Sequence, residues 1–175
     1  MIRSREFIGA DVYSTKGEKI GAVDDVILNF SSGFVLGFKI NKGKVFNKHC
    51  CISVKNMVSF TSKMIVNYVP YKGSFIRFNS IKNMDVINYD GTILGMVEEI
   101  MFDEKTFKIK GIIVSRGFFA NLVSGKKIIL EGNYMLGKKN LFCFSNDKNL
   151  SFVRVFHSIS MEDDKNEKKY IDILF

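Results

Sequence analysis

Two adjacent pairs of carboxylates are the side chains best suited to acid–base chemistry. Asp24-Asp25 and Glu98-Glu99 stand 74 residues apart in similar surroundings. A general acid and a general base must reach one substrate from one cleft. Both pairs lie in strand-like sequence, where neighbouring side chains point to opposite faces, so the carboxylates of one pair do not converge. We expect a turn or strand feature, or a charge contact from one half of the chain to basic loops of the other, rather than catalysis.

Histidine and cysteine occur together at His49-Cys50-Cys51, a combination able to bind zinc or undergo redox chemistry. No Cys-x-x-Cys spacing accompanies them, and further ligands would have to come from Cys143 or His157. Three cysteines are the wrong number for a disulfide framework, so we expect buried thiols in a reducing cytoplasm. Neither histidine lies near a nucleophile motif, and no glycine-rich phosphate loop is present. We therefore predict no enzyme activity, no metal and no cofactor.

A basic segment in the first half of the chain has the composition of an anion-binding surface. Four lysines alternate with two aromatic residues there: Lys39, Lys42, Lys44 and Lys48, with Phe38 and Phe46. Lysine neutralises phosphates and aromatic faces stack on bases, so the segment fits RNA; a solvated lysine loop is the alternative. The net charge of +8 is concentrated here, since residues 26–84 contain no Asp or Glu. Such a field favours RNA, an acidic protein or a lipid surface.

The equivalent loop of the second half, residues 116–126, is apolar instead. It carries Phe118, Phe119 and Leu122. If these side chains are exposed, they form a patch for docking a protein or a second copy of the chain. If they are buried, they close the end of a barrel.

An internal repeat organises all of these residues. Sliding the chain by 74 positions gives eight identities in 39, among them Asp11-Val12 with Asp85-Val86, Gly21 with Gly95, and Gly37 with Gly111. A match at a fixed period indicates two similar folded units. With a two-residue insertion it extends weakly, placing Ile52 against Ile128 and residues 64–68 against 140–144. We call residues 2–69 copy one and residues 76–145 copy two.

Each copy reads as about six short strands. Asp90-Gly91 and Lys16-Gly17 lie between apolar runs, where they predict tight hairpins. Gly21 and Gly95 interrupt strand patterns, which is typical of a bulge, a barrel corner or a close backbone approach. Seventeen Phe, six Tyr and a single Pro also favour sheet packing. The predicted class is all-β, with two small barrels closed or nearly closed to protect their edges.

The chain outside the repeat predicts a short tail. Pro70 and Gly73 mark a boundary, giving a first domain at residues 1–70 and a second at 75–148. Residues 150–159 read as an extra strand that pairs within the chain or is swapped. Ser160 begins a helix-start pattern, so the rest of 149–175 is predicted to be a short helix with Tyr170, Ile171 and Leu174 along one side. We expect no secretion signal and no membrane span.

The ordered pattern of acid-Val, x-Gly, Gly-x-Val, acidic pair, apolar strand and Val/Ile-x-Gly resembles the PRC-barrel family in both copies. That family includes a cytoplasmic domain of the photosynthetic reaction centre, the C-terminal domain of the ribosome-maturation factor RimM and small stand-alone proteins of spore-forming bacteria. The resemblance implies a non-enzymatic module that docks onto larger protein or ribonucleoprotein assemblies. It does not imply a particular partner.

The sequence therefore predicts a cytoplasmic adaptor that docks onto a larger protein assembly through the apolar loop of copy two and the basic loops of copy one. A homodimer is compatible with this expectation. The alternative is an RNA- or ribosome-associated factor that uses the basic first barrel. A weaker alternative, an enzyme with a pocket between the barrels, would need polar groups from both copies to converge there.

Overall fold

The computed structural model describes residues 1–42, 50–71, 75–117, 121 and 125–144, and the backbone of 150–153. Strands dominate this part of the chain, which confirms the all-β class. Copy one contributes β2 (Asp11–Ser14), β3 (Lys19–Asn29), β4 (Phe34–Asn41), β5 (Cys50–Ser53), β6 (Met57–Phe60) and β7 (Lys63–Val66). Copy two contributes β9 (Asp85–Asn88), β10 (Ile93–Phe102), β11 (Ile109–Ser115), β12 (Lys126–Leu130), β13 (Tyr134–Leu136) and β14 (Asn140–Cys143).

Short elements connect and flank these strands. The two-residue strand β1 (Ile2–Arg3) leads into a 3-10 turn at Ser4–Glu6, and β8 (Ile76–Arg77) leads into the single helical turn α1 (Phe78–Ile81). A further 3-10 turn covers Val54–Asn56, and β15 (Leu150–Val153) is the last element. The predicted helical tail at 160–175 lies outside the described residues. No helix within the described ranges is long and apolar enough to cross a membrane.

The two copies have the same strand order. Copy one runs β5-β4-β3-β2-β7-β6, and copy two runs β12-β11-β10-β9-β14-β13. Neighbours are antiparallel except β2 with β7 and β9 with β14, which are parallel. In copy one the chain after β7 turns back toward β5, because Ile52 bridges Pro70 and the Tyr71 amide donates to the Cys51 carbonyl. In copy two, β15 pairs with β12 of its own chain.

Gly21 and Gly95 permit a close approach of strands at equivalent positions. The hairpin register shifts beside each glycine, which marks a bulge. A Cβ at Gly21 would collide with the carbonyl of Asn41, and one at Gly95 would collide with the carbonyl of Ser115. Gly95 also has a φ of +141°, in a region that residues with side chains rarely adopt. The predicted bulge with close backbone contact is confirmed at both positions.

The first strand of each copy pairs with the sheet of the other copy. β1 runs antiparallel to β10, with Ile2 opposite Phe102. Reciprocally, β8 runs antiparallel to β3, with Ile76 opposite Leu28. Each copy therefore supplies a strand to its neighbour, and the repeat forms an interlocked pair.

A shared hydrophobic core follows from this exchange. Phe7 of copy one, which is 1% exposed, stacks 4.7 Å from Phe38 of its own copy and 5.6 Å from Phe102 of copy two. Phe107 of copy two packs edge-on against Phe38 at 6.4 Å. One cluster of buried residues includes side chains from both copies. Because the core is continuous across the two copies, a destabilising substitution in the core of one copy is expected to destabilise both.

The strand ladders correct the alignment of the two copies beyond Gly37 and Gly111. Ile52 lies opposite Phe38, whereas the equivalent of Phe38, Ile112, lies opposite Ile129. The insertion is therefore three residues, and the predicted match of Ile52 with Ile128 is wrong by one position. Because Ile128 and Ile129 are adjacent and identical, the sequence alone does not show which of them is equivalent to Ile52. The difference matters, since a one-residue shift in register moves every side chain to the opposite face.

Candidate functional site

The second carboxylate of each acidic pair binds the backbone of the other copy. Asp25 is 1% exposed and accepts hydrogen bonds from the amides of Val26 (2.8 Å) and Asn79 (3.1 Å). At the equivalent place, buried Glu99 accepts a hydrogen bond from the Arg5 amide at 3.0 Å. Asn79 and Arg5 both belong to the short helical turns that follow the exchanged strands. These carboxylates thus fasten each exchanged strand in place.

The first carboxylate of each pair stays within its own copy. Asp24 accepts a hydrogen bond from Lys39 at 2.6 Å, and Glu98 accepts one from Lys126. In both pairs the first carboxylate is partly exposed and the second is buried, and the strand register shifts at the first one. Burial raises the pKa of Asp25, although the two amide donors and Arg77 oppose that shift. Within the described residues, Asp25 and Glu99 contact the other copy through the Asn79 and Arg5 amides, and Glu99 also forms an ion pair with the Arg5 guanidinium at 3.7 Å. The basic segment that the sequence suggested for such a contact lies largely outside the described residues.

The cysteines lie in packed surroundings. Cys50 and Cys143 are buried, Cys51 is half-buried, and no disulfide joins these three described residues. Burial raises the pKa of the Cys51 thiol, which works against thiolate chemistry. No group of three or more metal-binding side chains occurs in the described ranges, and His49 and His157 lie outside them.

Two of the four predicted anion-binding lysines fall within the described residues, and they differ in availability. Lys39 is held by Asp24, and its side chain is only 13% exposed. Lys42 donates to the Tyr68 hydroxyl at 2.6 Å, and its ammonium lies 4.6 Å from the centre of that ring. This hydrogen bond raises the pKa of Lys42, so the ammonium stays charged. Lys44 and Lys48 lie outside the described part of the chain.

Lys42 lines an open cleft of about 590 Å³ on the outer side of copy one. The cleft is bordered by the β2–β3 hairpin and the chain after β7: Ser14, Thr15, Lys16, Glu18, Lys19, Ile20, Asn67 and Tyr68. Three ammonium groups face one bordering carboxylate, that of Glu18. Lys19 is also paired with Asp11 at 2.8 Å. The charged groups that border this surface are predominantly basic.

Copy two carries an apolar surface on the outside of its sheet, which we call the apolar face. One row crosses four strands, because Met135 lies opposite Phe142, Phe142 opposite Ile87, and Ile87 opposite Ile93. Ile93 is 66% exposed and Met135 is 54% exposed. The neighbouring positions add further exposed apolar side chains: Tyr89, Met96 and Phe144. Large contiguous apolar patches on a folded surface commonly mark interaction sites.

The equivalent surface of copy one is polar at the two ends of the matching row. Its matching row consists of Ser59, Ile65, Tyr13 and Lys19, paired through the same strand registers. Lys19 therefore replaces Ile93, and Ser59 replaces Met135. The two copies share a backbone arrangement but present different chemistry at the same place.

The predicted docking residues Phe118, Phe119 and Leu122 lie outside the described residues. Their loop leaves β11 at Ser115, whose strand partner is Met96. Met96 borders the apolar face, so the loop departs next to that face. Sequence reasoning missed the face itself, because its members are scattered over four strands and only the register brings them together.

Comparison with known families agrees with this architecture. A family model for the PRC-barrel domain matches residues 1–70 and again residues 73–150. The chain belongs to the PRC-barrel family. The resemblance drawn from the repeated acid and glycine pattern is therefore confirmed for both copies. No curated protein matches this tandem PRC-barrel chain.

Within the PRC-barrel fold of this chain, the acidic pairs and the paired glycines have structural roles. Asp25 and Glu99 fasten the exchanged strands, and Gly21 and Gly95 allow β3 to approach the end of β4 and β10 to approach the end of β11. The surfaces left to distinguish the two barrels are the basic cleft and the apolar face.

Proposed function

We propose that this tandem PRC-barrel chain is a non-enzymatic cytoplasmic adaptor that docks onto a larger protein assembly through the apolar face of copy two. The observation that supports this proposal is the apolar row of Met135, Phe142, Ile87 and Ile93 across four strands of copy two. The matching row of copy one has polar residues at both ends. The same fold tolerates Lys19 in place of Ile93. The apolar residues are therefore not required by the barrel itself.

The chemistry of the apolar face favours a protein with an apolar surface as its occupant. Among residues 85–89, 93–96, 134–136 and 140–144, the single charged residue is Asp85. A nucleic acid or an anionic lipid surface would need cations there. The adjoining loop with Phe118, Phe119 and Leu122 is part of this proposal and would extend the contact beyond Met96.

Replacing Ile93 by lysine tests the proposal with a residue that copy one carries at the same position. Burying a side chain that is 66% exposed contributes about 1–2 kcal/mol. Losing that burial, and placing an ammonium in the contact, is expected to weaken binding by about tenfold or more. Immobilised wild-type, Ile93→Lys and Lys16→Asp chains would be incubated with lysate of the source cell, with RNase and in high salt. The retained proteins would then be identified and their affinities measured with purified components.

A protein that survives both treatments, binds Lys16→Asp and is lost with Ile93→Lys supports the adaptor role. The same retained set for wild type and Ile93→Lys would contradict it. Light scattering distinguishes a second copy of the chain as the occupant. In that case the wild type is a dimer, Ile93→Lys is a monomer, and the docking of an external partner by this face is excluded.

A second candidate function, an RNA- or ribosome-associated role, is favoured by the basic cleft of copy one. Lys16, Lys19 and Lys42 border it, and residues 26–84 contain no acidic side chain. Its signature would be retained RNA or ribosomal species that disappear with RNase or high salt. Such species should be lost with Lys16→Asp and kept with Ile93→Lys, which is the reverse of the adaptor result.

A further inference from the structure

The outer surface of copy one alternates cations with aromatic rings. Lys42 lies over Tyr68 at 4.6 Å, and Lys63 lies over Tyr13 at 5.5 Å from the ring centre. Tyr13 and Lys63 stand on the neighbouring parallel strands β2 and β7. The cleft lies beside them, since Ser14 and Thr15 continue the chain from Tyr13 into its wall. The two lysine–tyrosine pairs therefore flank one basic surface, with Lys16 and Lys19 on the hairpin beside it.

Copy two keeps a cation at one position, because Arg116 is equivalent to Lys42, but it has lost other parts of this arrangement. The positions equivalent to Tyr13, Lys16 and Lys19 are Ile87, Asp90 and Ile93. The strand partner of Asp11 is Lys63, whereas the partner of Asp85 is Asn140. The residues at these positions are thus not demanded by the shared fold, since copy two folds in the same way without them.

We propose that this surface of copy one binds a single strand of RNA, with phosphates on Lys16, Lys42 and Lys63 and bases against Tyr13 and Tyr68. The proposal deepens the second candidate role by naming its site. Lysines that follow a backbone, alternating with aromatic faces, are the usual means of holding an unpaired strand. A cleft of about 590 Å³ has room for a nucleotide and its phosphates, whereas a duplex keeps its bases stacked inside.

The arrangement also separates RNA from an acidic peptide. Carboxylates need cations alone, and tyrosine rings add little to their binding. Bases stack on aromatic rings regardless of their identity, so binding to a single strand should depend on Tyr13 as well as on the lysines. Replacing Tyr13 by isoleucine, the residue of copy two, removes the ring and keeps a β-branched strand residue.

The test measures fluorescence anisotropy of a labelled twelve-nucleotide RNA of mixed sequence with the full-length chain. Wild type is expected to bind with a salt slope of roughly −2, since about three phosphates are neutralised. Lys16→Asp is expected to weaken binding by at least tenfold, and Tyr13→Ile by roughly fivefold or more. Lys138→Asp makes the same charge change on copy two and is expected to have less than a threefold effect. Ile93→Lys leaves RNA binding intact, so this result is independent of protein docking.

Four results would overturn the proposal. Equal losses from Lys16→Asp and Lys138→Asp would show general charge attraction. An unchanged affinity for Tyr13→Ile would indicate a phosphate or carboxylate site without base contact. Equal binding of the same sequence as a duplex would exclude recognition of an unpaired strand. A DNA strand of the same sequence, bound more tightly than the RNA, would reassign the site to DNA.

Discussion

Replacing Asp25 by alanine is expected to destabilise both copies together. The carboxylate is 1% exposed and accepts from the amides of Val26 and Asn79, one in each copy. Leaving the buried Val26 amide without an acceptor costs about 1–3 kcal/mol, and losing the bond to the amide of the exposed residue Asn79 costs about 0.5–1.5 kcal/mol, so the upper range is about 2–5 kcal/mol. The substitution also removes a carboxylate whose pKa is raised by burial, which offsets part of that loss. We expect a net loss of about 2–4 kcal/mol, dominated by the orphaned amides.

Thermal and urea unfolding measure this loss. For a chain of this size, about 2–4 kcal/mol lowers Tm by roughly 5–15 °C. Hydrogen exchange shows where the structure is weakened. In Asp25→Ala the Asn79 amide should lose protection before the strands of copy two do. Asp25→Asn keeps one acceptor oxygen, so its free energy of unfolding is expected to fall less than that of Asp25→Ala.

Asp24→Ala is the matched control. Asp24 is the sequence neighbour of Asp25, but its side chain is one-third exposed and pairs with Lys39. Such a pair contributes about 1 kcal/mol or less. If Asp25→Ala costs no more than Asp24→Ala, or if Asn79 keeps its protection, then Asp25 does not fasten the exchanged strand.

Four further outcomes follow from the same contacts. Phe7→Ala should cost about 3–5 kcal/mol in urea unfolding, with one transition for both copies, and two separate transitions would contradict the shared core. Glu99→Ala should expose the Arg5 amide to hydrogen exchange, and unchanged protection would refute the reciprocal contact. Gly95→Ala should lower Tm more than Gly91→Ala, because both have positive φ but a Cβ at Gly91 meets open space. Because burial raises the folded-state pKa of Asp25, the stability linked to protonation of this carboxyl is fully present below about pH 4 and is lost as pH rises through the folded pKa. Urea midpoints at increasing pH should show this decline in wild type and a smaller one in Asp25→Asn.

The sequence predicted the elements of this fold because they depend on local and repeated signals. The glycines at 21 and 95 and the hairpin at Asp90-Gly91 are set by backbone geometry, which a single sequence displays directly. The repeat presents each of these sequence signals twice, at equivalent positions of the two copies. The exchange of β1 and β8 was not predictable in this way. A two-residue strand is too short to show a hydrophobic periodicity. Its local sequence would look the same whether it paired with its own copy or with the other copy.

The candidate surfaces needed the register of the strands. Composition indicates Lys42 and Lys39 equally as anion-binding residues, and only the folded structure shows that Lys39 is paired with Asp24. The apolar face depends on Met135 meeting Phe142 and on Ile87 meeting Ile93, across strands far apart in sequence. A comparison of Lys19 with Ile93 at matched repeat positions was the one signal that could have indicated the difference between the copies.

The most direct test of the adaptor proposal is site-specific photocrosslinking in the source cell. A photoreactive amino acid would be placed at Ile93 on the apolar face or at Val58, a similarly exposed apolar position on β6 of copy one. We expect a discrete protein adduct from position 93, absent from position 58 and unaffected by RNase. No adduct at position 93, or the same adducts from both positions, would contradict docking through the apolar face.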